Sequence, residues 1–193
     1  MKIFKDLLFS FMLILICIII ASIVTSIVYA DDSLTPEEAP INEKSILLED
    51  ALEAVSNTIK NDINKFYRKD IPLDLPTQRL LFNACQEFNV DYELALAVIW
   101  RETIFQNLYA SEEGSSGYMM IQERWVKKEM AELGATNLMN PEDNFRVGCY
   151  LLSDFIGRYG VEGGLTRYNT GHPGSSWYSN SVMGKWMELK SNA

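Results

Sequence analysis

The stretch "LALAVIWRETIF", residues 94–105, limits what this chain can fold into more than any other. An unbroken apolar run from Leu94 to Trp100 leads directly into Arg101 and Glu102. On one helix, Glu102 lies one turn beyond Val98 and Ile99 and two turns beyond Ala95, on the face that would otherwise seek the core. A carboxylate there is either solvated at the edge of a cleft or partly desolvated. The second state matters chemically, because burial raises a carboxyl pKa and leaves a proton available near neutral pH.

A second apolar feature opens the chain. From Leu7 to Ala30 no side chain is charged, and the charges before it are Lys2, Lys5 and Asp6. The segment is long enough to span a hydrocarbon core as a helix. It also has the positive, apolar and small-residue regions of a secretory signal, ending in Val28, Tyr29 and Ala30. Residues 1–30 are therefore expected to be a signal peptide cleaved after Ala30 or a retained membrane anchor. With Lys2 and Lys5 on the cytoplasmic side, both readings place the body of the protein outside the membrane. Cys17 lies inside this segment behind Leu15 and Ile16, which is not the small-residue pattern of a lipid attachment site.

The chain from Asp31 onward is long enough for one ordinary domain with a sizeable core. The formal net charge of the whole chain is −9, and the leading segment contributes none of that negative charge. So acidic a body argues against nucleic acid as a partner and allows only modest attraction to an anionic envelope surface. Cys85 and Cys149 fall on expected helices among apolar neighbours. An oxidising compartment permits a disulfide, but two small buried hydrophobes is the reading their setting favours. One histidine, His172, and two distant cysteines do not make a metal site, and no cofactor is expected.

The body reads as helices joined by short loops, and no stretch alternates convincingly enough for a strand. "TPEEAP" is a polar lead-in. From about Asn42 to Tyr67, apolar residues return at three and four positions (Leu48, Leu52, Val55, Ile59, Ile63, Phe66), which is the mark of an amphipathic helix. That helix either packs on the domain or acts as a spacer from the membrane. "RKDIPLDLP" breaks the chain, and Pro76 suits the first turn of the helix that continues "TQRLLFNACQEF". Asp91 is a good N-cap for the helix from Tyr92 toward Thr103, with Glu93 in its first turn. "ASEEGSSG" reads as a flexible turn region. "ERWVKKEMAEL", "PEDNFRVGCYLLSDFIGRYG", "VEGGLTRYNTG" and "SVMGKWMELK" are further helical candidates. Asn140 before Pro141, with Glu142 and Asp143 in the first turn, is a strong start signal. An all-α body without internal repeats follows.

Taken in order, "NVDYELALAVIWRET", "GSSGYMMIQ", "NPEDNFRVGCYLLSDFIGRYG", "GLTRYNTG" and "WYSNSV" resemble the lytic transglycosylase catalytic domain of the soluble lytic transglycosylase type, with its lysozyme-like fold. The resemblance runs from near Leu80 to about Met187. It implies a lysozyme-like catalytic domain, expected at 73–193, behind the signal or anchor at residues 1–30 and the acidic lead-in and amphipathic helix at 31–72 read above. It implies peptidoglycan glycan strands as the partner, with the body facing the cell wall, and it matches Glu102 to the catalytic acid. Gly117, Tyr118 and Met119 match the segment that lines the glycan cleft, and Tyr168 with Asn169 matches the pair near the acid. Thr103 replaces the usual serine and keeps its hydroxyl. Met120 stands where a glutamine is common, with Gln122 close by as a substitute cleft donor, and Arg167 replaces a small residue.

The chemistry of the residues agrees with this placement. Cleaving a glycosidic bond requires a proton for the leaving oxygen, which a carboxyl supplies near neutral pH when burial raises its pKa. An acid against Val98 and Ile99, closed over by Tyr118 and Tyr168, is set for that shift, while Arg101 is expected to point away around the helix. The usual two-carboxylate scheme needs a partner. Glu112, Glu113 and Glu123 are the candidates, and none has a setting as distinctive as Glu102. That favours the single-acid route the resemblance implies, ending in 1,6-anhydromuramic ends, or in a muramidase product if water attacks. His172 and Asn169 also suit surface or turn roles. Trp100, Trp125, Trp177 and Trp186 invite sugar stacking, although helix spacing favours packing for most of them. Two other classes stay open: a non-catalytic glycan-binding module, and a membrane-tethered component of a secretion or conjugation machinery.

Overall fold

The computed structural model describes residues 41–192. Six helices occupy Ile41–Ile63 (α1), Leu75–Phe88 (α2), Tyr92–Thr103 (α3), Glu123–Leu133 (α4), Pro141–Thr170 (α5) and Trp177–Ser191 (α6). The expected signal or anchor at residues 1–30, with Cys17, and the polar lead-in through residue 40 lie outside the described residues. No helix among the described residues is long and apolar enough to cross a membrane. The chain divides into one unit ending at Val55 and another beginning at Ser56. In the first, Ile46, Leu52 and Val55 of α1 are exposed. Everything below concerns the second.

Helix α3 is apolar on all sides, and every residue from Leu94 to Ile99 is at most 3% exposed. A helix of that kind is stable only when enclosed. Helices α2 and α6 pack against it, α2 packs on α5, and α5 packs on α6. The enclosing faces supply Leu81 from α2, Phe145, Val147 and Leu152 from α5, and Val182 and Leu189 from α6, all buried. Cys85 and Cys149 join this core as free thiols with their Sγ atoms 3.8 Å apart.

The helix starts follow the side chains that favour them. Asp74 accepts from the Thr77 amide at 2.9 Å ahead of α2, and Asn140 accepts from the Glu142 and Asp143 amides ahead of α5. The two helical candidates from "PEDNF" to "NTG" are the two arms of α5, separated at Gly160 where the sequence divides them. There φ is 71° and ψ is 174°, a conformation costly for any residue with a Cβ.

The expected all-α bundle holds, with one addition. Three short strands, Leu108–Ala110 (β1), Ser115–Gly117 (β2) and Ile121–Gln122 (β3), form an antiparallel sheet in the order β1-β2-β3, with Ser116 opposite both Tyr109 and Ile121. The stretch read as a flexible turn is therefore a hairpin. It is closed by the Gly114 amide donating to the Ala110 carbonyl at 2.8 Å. Strands of two or three residues rich in Ser and Gly are too short to display an apolar alternation.

Asp91 ties two of these helices together. Its Oδ1 accepts from the Leu94 amide at 3.1 Å and from Trp186 Nε1 at 2.8 Å, while Oδ2 pairs with Lys190 Nζ at 2.7 Å. Burial acts to raise its pKa, but Lys190, the Leu94 amide and Trp186 outweigh it and hold the carboxyl below its ordinary 3.8. Asp91→Ala is expected to cost about 1–2 kcal/mol in a urea titration, in the upper range for an N-cap because two further partners are lost. The cost should be fully present above the ordinary pKa and fade as pH falls through the lowered one. A cost that is unchanged in acid would contradict this account.

Candidate active site

Glu102 is the second-last residue of α3, where the enclosed helix reaches the surface, and it is half-buried. The helix ends in two left-handed residues without the freedom of glycine, Ile104 at φ 50° and Phe105 at φ 62°. Such conformations persist only where surrounding packing enforces them, and Phe105 is buried. The turn directs the chain from Glu102 straight into the small sheet.

Among the described residues, the carboxyl has one hydrogen-bond partner. Tyr178, the second residue of α6, donates its hydroxyl to Glu102 Oε1 at 2.6 Å. A reciprocal capping box between Ser176 and Ser179 fixes the start of α6, so this phenol sits on a well-defined helical turn. Burial raises the Glu102 pKa above its ordinary 4.5, and the negative charge of Glu113 acts in the same direction. The Tyr178 hydrogen bond and the Arg101 charge act against this without cancelling it. Burial and the nearby carboxylate push Tyr178 well above the usual tyrosine range, so it remains a donor.

The wall beside Glu102 is the segment from Ser116 to Met120, and it is held mainly through its backbone. Asn144 of α5, fully buried, accepts from the Met119 amide at 2.9 Å and donates to the Ser116 carbonyl at 2.9 Å. Tyr168 of α5 donates its hydroxyl to the Met119 carbonyl at 2.7 Å. Thr103 Oγ1 lies 3.0 Å from the Tyr118 carbonyl and 3.1 Å from the Ile99 carbonyl, so its single proton serves one at a time. Gly117, at φ 80°, passes so close to Asn144 and the Leu138 carbonyl that a Cβ would collide with both.

The sequence-derived residues divide accordingly. Glu102 and Tyr168 come together, and Tyr168 is pushed well above the usual range by burial and by the Glu102 charge. Gly117 is a close-approach glycine. Met119 is fully buried with its thioether against Gly148, so it contributes its main chain to the wall and its side chain to the core. Tyr118 is half-buried, tilted on Phe145 with centroids 5.3 Å apart, and burial together with the Asp74 charge pushes its phenol above the usual tyrosine value. Gln122 Oε1 accepts from Arg124 Nη2 at 2.7 Å and from Trp125 Nε1 at 3.1 Å. Asn169 and His172 are exposed, as are Glu112, Glu113 and Glu123. Among the described residues, no three His, Cys, Asp or Glu side chains converge as metal ligands.

One expectation is corrected. Arg101 does not point clear of the acid, because its guanidinium carbon lies 4.5 Å from the Trp177 ring centroid and 5.8 Å from that of Tyr178, the residue bonded to Glu102. Helical angle alone separated the two residues, and the long arginine stem curls back onto aromatics of α6. Sequence reasoning also missed Tyr178 and Asn144. Both stand inside quoted segments, "WYSNSV" and "NPEDNF", but nothing local to either tyrosine or asparagine marks its partner.

Fold and site together define a small helical domain built around one half-buried acid at a helix end. The model of the family described as "Transglycosylase SLT domain" matches residues 79–183, more than half of the chain, and the chain belongs to that family. The X-ray structure of an inactive mutant of the lytic transglycosylase Slt from Pseudomonas aeruginosa is similar at 19% identity and a TM-score of 0.44. That similarity covers 49% of this chain and 16% of the other, so the chain corresponds to a small part of that relative's length. No curated protein matches the chain.

The raised Glu102 pKa has a measurable sign. The protonated folded form is favoured, so this contribution to stability is complete below the ordinary 4.5 and is lost as pH rises through the raised value. Glu102→Gln is therefore expected to be more stable than the wild type at about pH 7 and to match it at about pH 4 in urea titrations. Tyr178→Phe removes a donor to the carboxylate and should move the Glu102 titration, followed by carboxyl carbon NMR, further upward. A downward move would remove the phenol from this electrostatic account.

Proposed function

We propose that this protein is a peptidoglycan lytic transglycosylase in which Glu102 acts alone as acid and then as base. The observation that carries the reading is the half-buried Glu102 carboxyl, bonded to Tyr178 at 2.6 Å inside the region matched by the family. A carboxyl with a raised pKa retains a proton at pH values where an exposed glutamate has lost it, which a proton donor to a leaving oxygen requires.

The roles of the two carboxyl oxygens follow from the hydrogen bond. Oε1 is occupied as an acceptor by Tyr178, so the mobile proton rides on Oε2. That proton passes to the bridging oxygen as the bond to C1 of an N-acetylmuramic acid unit breaks. The acetamido oxygen of the same sugar closes on C1 as an oxazolinium, taking the place of a second protein carboxylate. The Glu102 carboxylate, steadied by Tyr178, then accepts the proton of the sugar's C6 hydroxyl as that oxygen attacks C1. The nitrogen ring opens, the acid is restored, and a 1,6-anhydromuramic end is released. The exposure of Glu112, Glu113 and Glu123 supports a route without a second buried carboxylate. The glycan of a cell wall as substrate places the working domain outside the cytoplasm, in accord with the export expected from residues 1–30.

Mass spectrometry of fragments released from purified peptidoglycan tests this directly. The wild type should yield anhydromuramic ends, and Glu102→Gln should lower their release by about 10²–10⁴-fold or more, the loss typical of removing a general acid. Reducing muramic ends would convert the assignment to hydrolysis at the same residue. Release undiminished in the glutamine variant would sink the single-acid mechanism.

A further inference from the structure

Two tryptophans of this unit stand open to solvent, Trp125 at 74% and Trp177 at 72%, while Trp100 and Trp186 are packed against the core. An exposed indole forfeits a large apolar burial, so its position calls for a reason. Trp177 is joined to the acid by two short routes. Its chain neighbour Tyr178 hydrogen-bonds Glu102 at 2.6 Å, and Glu102's own chain neighbour Arg101 stacks on the Trp177 ring at 4.5 Å.

The ring is held in place. Trp177 is the first residue of α6, inside the Ser176–Ser179 capping box that fixes the backbone. Arg101 Nε is sealed from water and meets no hydrogen-bond acceptor among the described residues. A guanidinium serving an ion pair would aim that nitrogen at a carboxylate, whereas this one lies against the indole instead. One face of Trp177 is thus backed by a cation, and its exposure leaves the opposite face open.

We propose that Trp177 is a stacking platform for a pyranose ring of the glycan bound at Glu102, beside the bond that is cleaved. A pyranose presents axial C–H groups of partial positive charge on one face, which suit the negative face of an indole. The contact also fits the overall charge, since a chain of net charge −9 gains at most modest electrostatic attraction to an anionic glycan. Stacking supplies affinity that salt does not screen. This inference rests on the glycan-cleavage reading of Glu102.

Steady-state kinetics and binding isotherms with soluble, peptide-free peptidoglycan strands test it, using the wild type, Trp177→Ala, Trp177→Phe and Glu102→Gln. Trp177→Ala should raise KM by about tenfold, with a much smaller change in kcat, and Trp177→Phe should recover most of the loss. The KM shift should persist at high salt, and the pH profile of kcat should stay in place. An unchanged KM in Trp177→Ala, with Glu102→Gln inactive, overturns the platform while leaving the cleavage reading intact. A displaced pH profile without recovery by phenylalanine also overturns it, because Trp177 would then act through Arg101 on the acid. If the wild type cleaves nothing, the cleavage reading has failed and the isotherms decide. Weaker binding by Trp177→Ala sustains the platform, and equal or absent binding overturns it.

Discussion

An α-helix that is apolar all round has to be enclosed, and the arrangement of this domain follows from that requirement. Residues Leu94 to Ile99 of α3 leave no polar face to present to water, so α2 and α6 close over them and α5 completes the packing behind. Polar chemistry is confined to the two ends of α3. A glutamate in the middle of that run would be an unpaired buried charge, costing several kcal/mol or remaining neutral. In the last turn it can be desolvated without being sealed. The burial that raises the Glu102 pKa is thus a consequence of the same enclosure that stabilises the fold.

The chain leaving α3 builds the neighbouring wall from main-chain groups. Asn144, Tyr168 and Thr103 reach the Ser116, Tyr118 and Met119 backbone from α5 and from α3 itself. Bonds of this kind hold the path of the segment without prescribing most of its side chains. Met119 can thus turn wholly inward against Gly148 without loosening the frame. The glycine is less free, because the space beside Gly117 is already filled by the asparagine that secures the wall.

Helix starts, the enclosed run and the acid at its end were legible in the sequence because each depends on near neighbours. Asp91 and Asn140 cap within three residues of themselves, and Glu102 is marked by the contrast with the apolar residues one turn before it. The ordered segments of the resemblance placed the family boundaries near those matched, 79–183. What stayed hidden depends on distance. Tyr178 finds Glu102 across 76 positions, and Trp186 finds Asp91 across 95. The small sheet was missed for a local reason, since pairs such as Ser116 with Ile121 carry no periodic signal. Arg101 was misread because angular position on a helix fixes where a Cβ points and not where a long, flexible side chain ends.

The hidden contacts share one geometric origin. Tyr178, near the start of α6, meets the end of α3, while Trp186 and Lys190, further along α6, meet Asp91 at the beginning of α3. The two helices therefore run antiparallel and are pinned at both ends by polar bonds, with an apolar seam between the pins. A helix rises about 1.5 Å per residue, so a slip by one turn would move a partner by about 5.4 Å and break both pins together. The charged cluster at Asp91 thereby sets the register that delivers Tyr178 to Glu102. The bond that caps α3 at its start and the bond that holds the carboxyl at its end are thus two products of one helix pairing.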